Sequence, residues 1–148
     1  MKRSVLIGLF VAARLAAADL QVHKWNPAAA SRFLDQREAW WASCPRAARD
    51  QGTFCVSCHT TIPYALARPA LRAVLHEQSP SNDERELREN VAKRVRLWNE
   101  VGPYYAGQDR ESRGTESVAN AVVLASLDAP AKHLSAEARA ALDSDVAI

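Results

Sequence analysis

The stretch Ser81-Asn82-Asp83-Glu84-Arg85-Glu86-Leu87-Arg88-Glu89-Asn90-Val91-Ala92-Lys93-Arg94-Val95-Arg96-Leu97-Trp98 decides the fold class. Ser81 followed three residues later by Glu84 is a capping box, in which hydroxyl and carboxylate each satisfy a backbone N–H that the helix leaves open. Leu87, Val91, Val95 and Trp98 recur at four, four and three residues, an apolar stripe on one helix face. Glu84 with Arg88, and Glu89 with Lys93, are opposite charges four residues apart, a spacing that supports a helix. The pattern predicts a helix to about Val101, stopped by Gly102-Pro103.

The flanking sequence reads the same way. Asn26 is a good N-cap and Pro27 suits the first helical position, so a helix is expected to about Cys44, before Pro45. Its predicted buried face is Ala30, Phe33, Leu34, Arg37, Trp41 and Cys44, with Trp40 beside it. A loop containing Gly52 follows. Pro63 and Pro69 are expected to split the next stretch into a short turn and a helix carrying Leu71, Val74 and Leu75, ending near His76. Tyr104 to Gly114 is polar and loop-like. Thr115 is placed as the cap of a helix through Val118, Val122 and Leu127 to Asp128. That helix is apolar nearly all round, so it is either buried or missing a partner. Ala129-Pro130 marks a turn, and Ser135 caps a last helix from Ala136 to about Leu142. The expectation is a mainly α protein, one small domain of about five to six helices, without internal repeats.

The N-terminus carries a different signal. Lys2 and Arg3 precede a short apolar run, Ser4 to Ala13, and Ala16-Ala17-Ala18 is a small-residue cleavage signature before Asp19. Residues 1–18 therefore read as a secretory signal peptide, too short to span a bilayer. The mature chain, 19–148, would be periplasmic or otherwise exported, with no membrane span after cleavage. Lys2, Arg3 and Arg14 leave with the signal. Of 19 basic side chains 16 remain, against 17 acidic ones, so nothing points to nucleic acid or a charged membrane surface. An apolar content of 48% is enough for a core.

Cys55-Val56-Ser57-Cys58-His59 is the sequence on which the functional reading turns. Cys-x-x-Cys-His is the attachment pattern for a c-type haem. Two thiols form thioethers with the two vinyl groups of one porphyrin edge, and the adjacent histidine supplies the proximal nitrogen to iron. Cys55 and Cys58 are the expected covalent anchors and His59 the axial ligand. A thioredoxin-like redox pair would need a βαβ context, which is not found around the motif. A structural zinc site needs four ligands, and only Cys44 is left over; it lies on an apolar face and reads as buried and inert.

For the sixth iron position, the only methionine is Met1, which leaves with the signal. His23, His76 and His133 remain, and His76, following an apolar helix face close after the motif, ranks first; an open or water-ligated iron and a ligand from another chain are the alternatives. Without a thioether ligand the reduction potential should be lower than in a His/Met cytochrome. Phe54 and Tyr64 read as core packing in preference to haem walls. Arg68 and Arg72 read as solvated, with pairing to haem propionates the sharper alternative.

A longer set of residues carries a resemblance. Lys24-Trp25-Asn26-Pro27-Ala28-Ala29-Ala30, Asp35-Gln36-Arg37-Glu38-Ala39-Trp40-Trp41, Phe54 through Thr61, Pro63-Tyr64-Ala65-Leu66-Ala67-Arg68-Pro69 and Arg94-Val95-Arg96-Leu97-Trp98 together resemble the N-terminal region of large exported bacterial proteins that join a haem c motif to a squalene-cyclase-like helical toroid. Arg113-Gly114-Thr115-Glu116-Ser117 and the following helix resemble the first inner helix of that toroid. The resemblance spans most of residues 24–142, and only Cys55, Cys58 and His59 carry over as functional. It implies that 116–148 is the start of a truncated cyclase-like helical domain. The Asp-x-Asp-Asp proton-donor motif of such cyclases is absent, since Asp143-Ser144-Asp145 lacks the final aspartate, and so are their Gln/Trp-rich repeats.

Two functions of different class follow as expectations. One is an exported monohaem c-type cytochrome-like protein that transfers single electrons to an unidentified redox partner and catalyses no bond chemistry. The other is the N-terminal segment of a cyclase-like protein with an accessory haem. A thiol-disulfide protein using Cys55 and Cys58 is a weaker third.

Overall fold

Asn26 opens the first helix as its side chain allows, Oδ1 accepting the Ala29 N–H at 3.0 Å. The computed structural model describes residues 24–105 and 109–146. The expected signal peptide and His23 lie outside them. Helix α1 spans Pro27–Ala42. A two-stranded antiparallel hairpin follows, β1 (Ala48–Arg49) against β2 (Thr53–Phe54), turned by a 3-10 segment at Asp50–Gly52. Gln51 and Gly52 both adopt positive φ there, 56° and 65°; the turn needs left-handed backbone, which glycine supplies without strain. Then come α2 (Thr61–Val74), α3 (Asn82–Arg96), α4 (Asp109–Asp128), a 3-10 turn at Ala129–Ala131, and α5 (Ala136–Val146). Among the described residues the protein is mainly α with five α-helices, as the patterning predicts.

The capping box is present: Ser81 Oγ accepts the Glu84 N–H at 3.1 Å and Glu84 Oε2 accepts the Ser81 N–H at 2.9 Å. Leu87, Val91 and Val95 are buried. The helix stops at Arg96, five residues before the expected end, and Trp98 lies instead under the Arg113 guanidinium, 4.7 Å from the ring centroid. The expected pairs within α3 do not form. Glu84 meets Arg72 of α2 at 3.3 Å, Arg88 meets Asp128 of α4 at 2.6 Å, and Glu89 meets Arg96 at 2.9 Å. A surface pair on one helix is worth only about 0.3–0.5 kcal/mol, so for Glu84 and Arg88 the partners offered by tertiary packing win, while Glu89 takes another exposed partner on α3 itself.

Three other expectations are corrected. Helix α1 is rolled by about one residue: Ser31 and Glu38 are buried, whereas Phe33 and Trp40 are exposed. Pro63 and Pro69 do not break α2. Pro63 falls in the first turn, where its missing N–H is not needed. Pro69 lies inside the helix, next to Arg68, whose buried guanidinium ties α2 to Asp35 of α1 at 2.9 Å and to Glu77 beyond the helix end at 2.7 Å. Those ties hold the helix across the proline. Helix α4 begins at Asp109 and not at Thr115, whose hydroxyl donates back to the Glu111 carbonyl at 2.9 Å. The stretch looked loop-like because its polar side chains find partners only in the folded core: Ser112 Oγ accepts the Tyr105 N–H and Glu116 accepts from Arg94.

Helix α4 packs on α2, α3 and α5 with Val123 and Leu124 fully buried, while Val118 of the predicted stripe stays exposed. Among the described residues no helix is long and apolar enough to cross a membrane.

Candidate functional site

The motif hangs from the hairpin at one side and from α2 at the other. Asn90 of α3 pairs with β2 through both ends of its amide: Oδ1 accepts the Phe54 N–H at 2.8 Å and Nδ2 donates to the Phe54 carbonyl at 3.0 Å. The next residue, Cys55, donates its N–H to the Ala47 carbonyl at 2.8 Å and receives the Trp41 indole N–H on its own carbonyl at 2.6 Å. Ser57 Oγ accepts the His59 and Thr60 N–H groups, both at 3.2 Å, and the Ser57 carbonyl accepts the Ile62 N–H at 3.0 Å. The turn at 58–60 is thereby closed and delivered into α2.

Beneath the hairpin lies a fully buried ion pair. Arg94 Nε reaches Glu116 Oε1 at 2.6 Å, with both side chains wholly inaccessible. The same guanidinium donates to Thr53 Oγ1 at 2.9 Å and to the Gly102 carbonyl at 2.8 Å, and lies 4.4 Å from the centroid of the Tyr104 ring. This network joins α3, α4, β2 and the 102–104 segment into one floor.

Cys55, Cys58 and His59 line a single open cavity of about 520 Å³. That volume is within the range of ordinary cofactor pockets, about 300–1,000 Å³. Cys55 is buried, and burial pushes its thiol up while the Arg49 charge pulls the other way. Cys58 and His59 are exposed. Trp40, Trp41 and Tyr105 supply aromatic walls; the two indoles are tilted, 6.1 Å between centroids. The charge on a Cys55 thiolate, then burial, push the Tyr105 phenol up, so sulfur and phenol are neighbours. On the far side of Cys58 an apolar groove of about 400 Å³ opens against Ile62, Val118 and Ala119.

The cavity also holds three cations, Arg37, Arg46 and Arg49, and no carboxylate among its described residues; Arg37, expected on the buried face of α1, is exposed, and the sequence marked none of the three as a cation site. Arg68 and Arg72, for which propionate pairing was the alternative to solvation, are elsewhere. They are neither solvated nor free, being paired with Asp35, Glu77 and Glu84. The spacing of Arg37 from Trp40 and Trp41 on α1 was the available signal. Phe54 and Tyr64 are core residues, the latter donating its hydroxyl to Asp35 at 2.9 Å. Cys44 is half-buried against the core, more accessible than its apolar face suggested.

His76 does not join the motif. It sits just past the C-terminal end of α2, whereas His59 lies just before its N-terminus. Fourteen residues at 1.5 Å each separate the two ends by about 21 Å. His76 adopts φ 56° as the left-handed stop of the helix, its N–H on the Ala73 carbonyl and the Glu77 N–H on the Arg72 carbonyl. His133 is exposed in the turn before α5. Among the described residues, no three His, Cys, Asp or Glu side chains converge as a site for a bare metal ion. A haem asks for less, one protein nitrogen on iron and two thiols at the ring edge, and the cavity presents these donors together with aromatic walls.

No protein-family model matches the chain, and no curated protein or solved structure matches it either.

Proposed function

We propose that this chain is an exported, monohaem c-type cytochrome-like protein whose work is single-electron transfer. The observation that carries the reading is the convergence of Cys55, Cys58 and His59 on one aromatic-walled cavity of cofactor size. Each thiol S–H would add across one vinyl C=C, sulfur to one carbon and hydrogen to the other, so both thiols must be reduced when the haem arrives. In the structure Cys44, Cys55 and Cys58 are all free. His59 would hold the iron from the proximal side, and the iron would supply the one-electron couple. Trp40, Trp41 and Tyr105 would pack against the ring and shield it in part from water. Trp41 and Asn90 hold the motif's backbone in place through their bonds to Cys55 and Phe54.

The test is a pyridine haemochrome spectrum after denaturing extraction, on protein made with haem-c maturation machinery. A c-type α-band that stays with the polypeptide, and is lost in Cys55→Ala/Cys58→Ala, is the expected result. Haem that extracts completely overturns the reading. The thiol-disulfide function would then lead, with a reducible Cys55–Cys58 bond as its signature.

A further inference from the structure

Arg37, Arg46 and Arg49 share the cavity of the haem motif with no acidic neighbour in its lining. Among the described residues none of the three is in an ion pair. That contrasts with Arg68, Arg72, Arg88, Arg94 and Arg96, each of which meets a carboxylate of this chain. Two of the three cations are held in place. Arg37 lies 4.7 Å from the centroid of the Trp40 ring. Arg49, half-buried, donates Nε to the Tyr104 carbonyl at 2.8 Å and Nη1 to the Arg46 and Ala48 carbonyls at 2.9 and 2.8 Å.

A guanidinium carries five N–H donors in a fixed fork. Arg49 spends three on neutral carbonyls, which orient it without cancelling its charge, and keeps both donors of Nη2. The guanidinium groups of Arg37 and Arg46 make no hydrogen bond to the described residues. The cavity is thus an apolar-walled slot with uncompensated, partly preorganised cations at its edge. Such a slot suits a flat, largely apolar molecule bearing anionic groups. Guanidinium is the side chain best matched to a carboxylate.

We infer that Arg37, Arg46 and Arg49 form a carboxylate-binding rim that captures the two propionate arms of the haem, so that the chain recognises the cofactor non-covalently as well as through its thiols. The inference rests on the haem reading of the same cavity. Three cations against two carboxylates leave the rim with one net positive charge. Cys55 and Cys58 mark one edge of the ring, and the arginines would register the carboxylate arms, so the porphyrin enters in one orientation.

A cycle between protein and ligand tests this. Reduced protein is titrated with haemin in dilute detergent, read by quenching of tryptophan fluorescence. The ligand is then exchanged for the same porphyrin with both propionates esterified. Arg37→Gln/Arg46→Gln should weaken haemin binding about tenfold, the scale of one or two exposed charge-assisted bonds, and leave binding of the ester unchanged. An Arg85→Gln control, on the outer face of α3, should change neither. Circular dichroism checks that each variant is folded. Equal losses for haemin and ester, or no loss for either, overturn the rim. The haemochrome experiment separates this from the larger reading: covalent haem without coupling in the cycle removes the rim alone. Coupling without covalent haem keeps the rim and removes the attachment.

Discussion

Glu38 is an acid buried where no cation among the described residues meets it. Its side chain is 1% exposed and neither carboxyl oxygen has a hydrogen-bond partner, nor does the hydroxyl of its neighbour Thr61. Burial pushes the carboxyl up to about 7, the charges of Asp83 and Glu86 on α3 add to the rise, and the nearby Thr61 hydroxyl opposes it through its dipole without completing a hydrogen bond. In the unfolded chain the group titrates near 4.5. Below that value both states hold the proton and the site is neutral to stability. Between about 4.5 and 7 the unfolded chain loses its proton while the native state keeps it, so stability falls as pH rises. The full loss above pH 7 is on the order of 3 kcal/mol. Glu38→Gln should therefore unfold at higher urea than the parent at pH 8, with the difference shrinking toward pH 4. A parallel offset at both pH values would sink the assignment. The same scale separates the two motif cysteines. Cys58 is exposed and Cys55 is 2% exposed with its thiol pushed up. Iodoacetamide should alkylate Cys58 more than about tenfold faster than Cys55 in the native apo-protein, since only exposed thiolate reacts. Peptide mapping of a time course reads this directly. The motif itself was legible because five adjacent residues carry the whole chemical requirement. Glu38 was not, since the acid reads as solvated surface until α2 and α3 close over it.

Elements were legible where their signals are local. Asn26-Pro27 and Ser81…Glu84 specify helix starts through bonds within one turn, and both form. Prolines misled because they act by removing a bond, and the cost of Pro69, about 3 kcal/mol in a helix interior, is met by contacts far away in sequence. Arg68 supplies them from the adjacent position. His76 shows the converse. Proximity along the chain favours it as an iron ligand, whereas a helix of 14 residues carries it to the far end of α2. Its backbone role makes a clear prediction. At φ 56° glycine is favoured over any residue with a Cβ, so His76→Gly should stabilise the protein by about 1 kcal/mol in urea unfolding. The same variant should leave the ferric and ferrous haem spectra of the matured protein unchanged. A spectral shift would mean that this imidazole reaches the iron after all.

The whole molecule is organised around the buried pair of Arg94 and Glu116, which no local pattern announces. Arg94 lies on the helix with the clearest apolar stripe, and Glu116 on a helix that looked apolar nearly all round. Their pairing depends on α3 and α4 packing face to face under the hairpin. Breaking one member leaves the other as an uncompensated charge in the core. Arg94→Met should cost about 3–5 kcal/mol, and Glu116→Leu a similar amount. The double variant should cost less than the two together by at least ~2 kcal/mol, because it removes both desolvated charges at once. Urea unfolding of the four proteins gives this coupling, and additive losses would show that the pair is not a unit. The consequence extends to the cavity. Arg94 also holds Thr53, which precedes Phe54 and Cys55, and Gly102, which leads to Tyr104 and Tyr105. Deleting it should slacken both walls that meet at the motif. The double variant keeps a packed core without restoring those two bonds. If the floor positions the site, the double variant will recover stability while its haem yield stays low. If the core matters only for folding, haem yield will recover in step with stability.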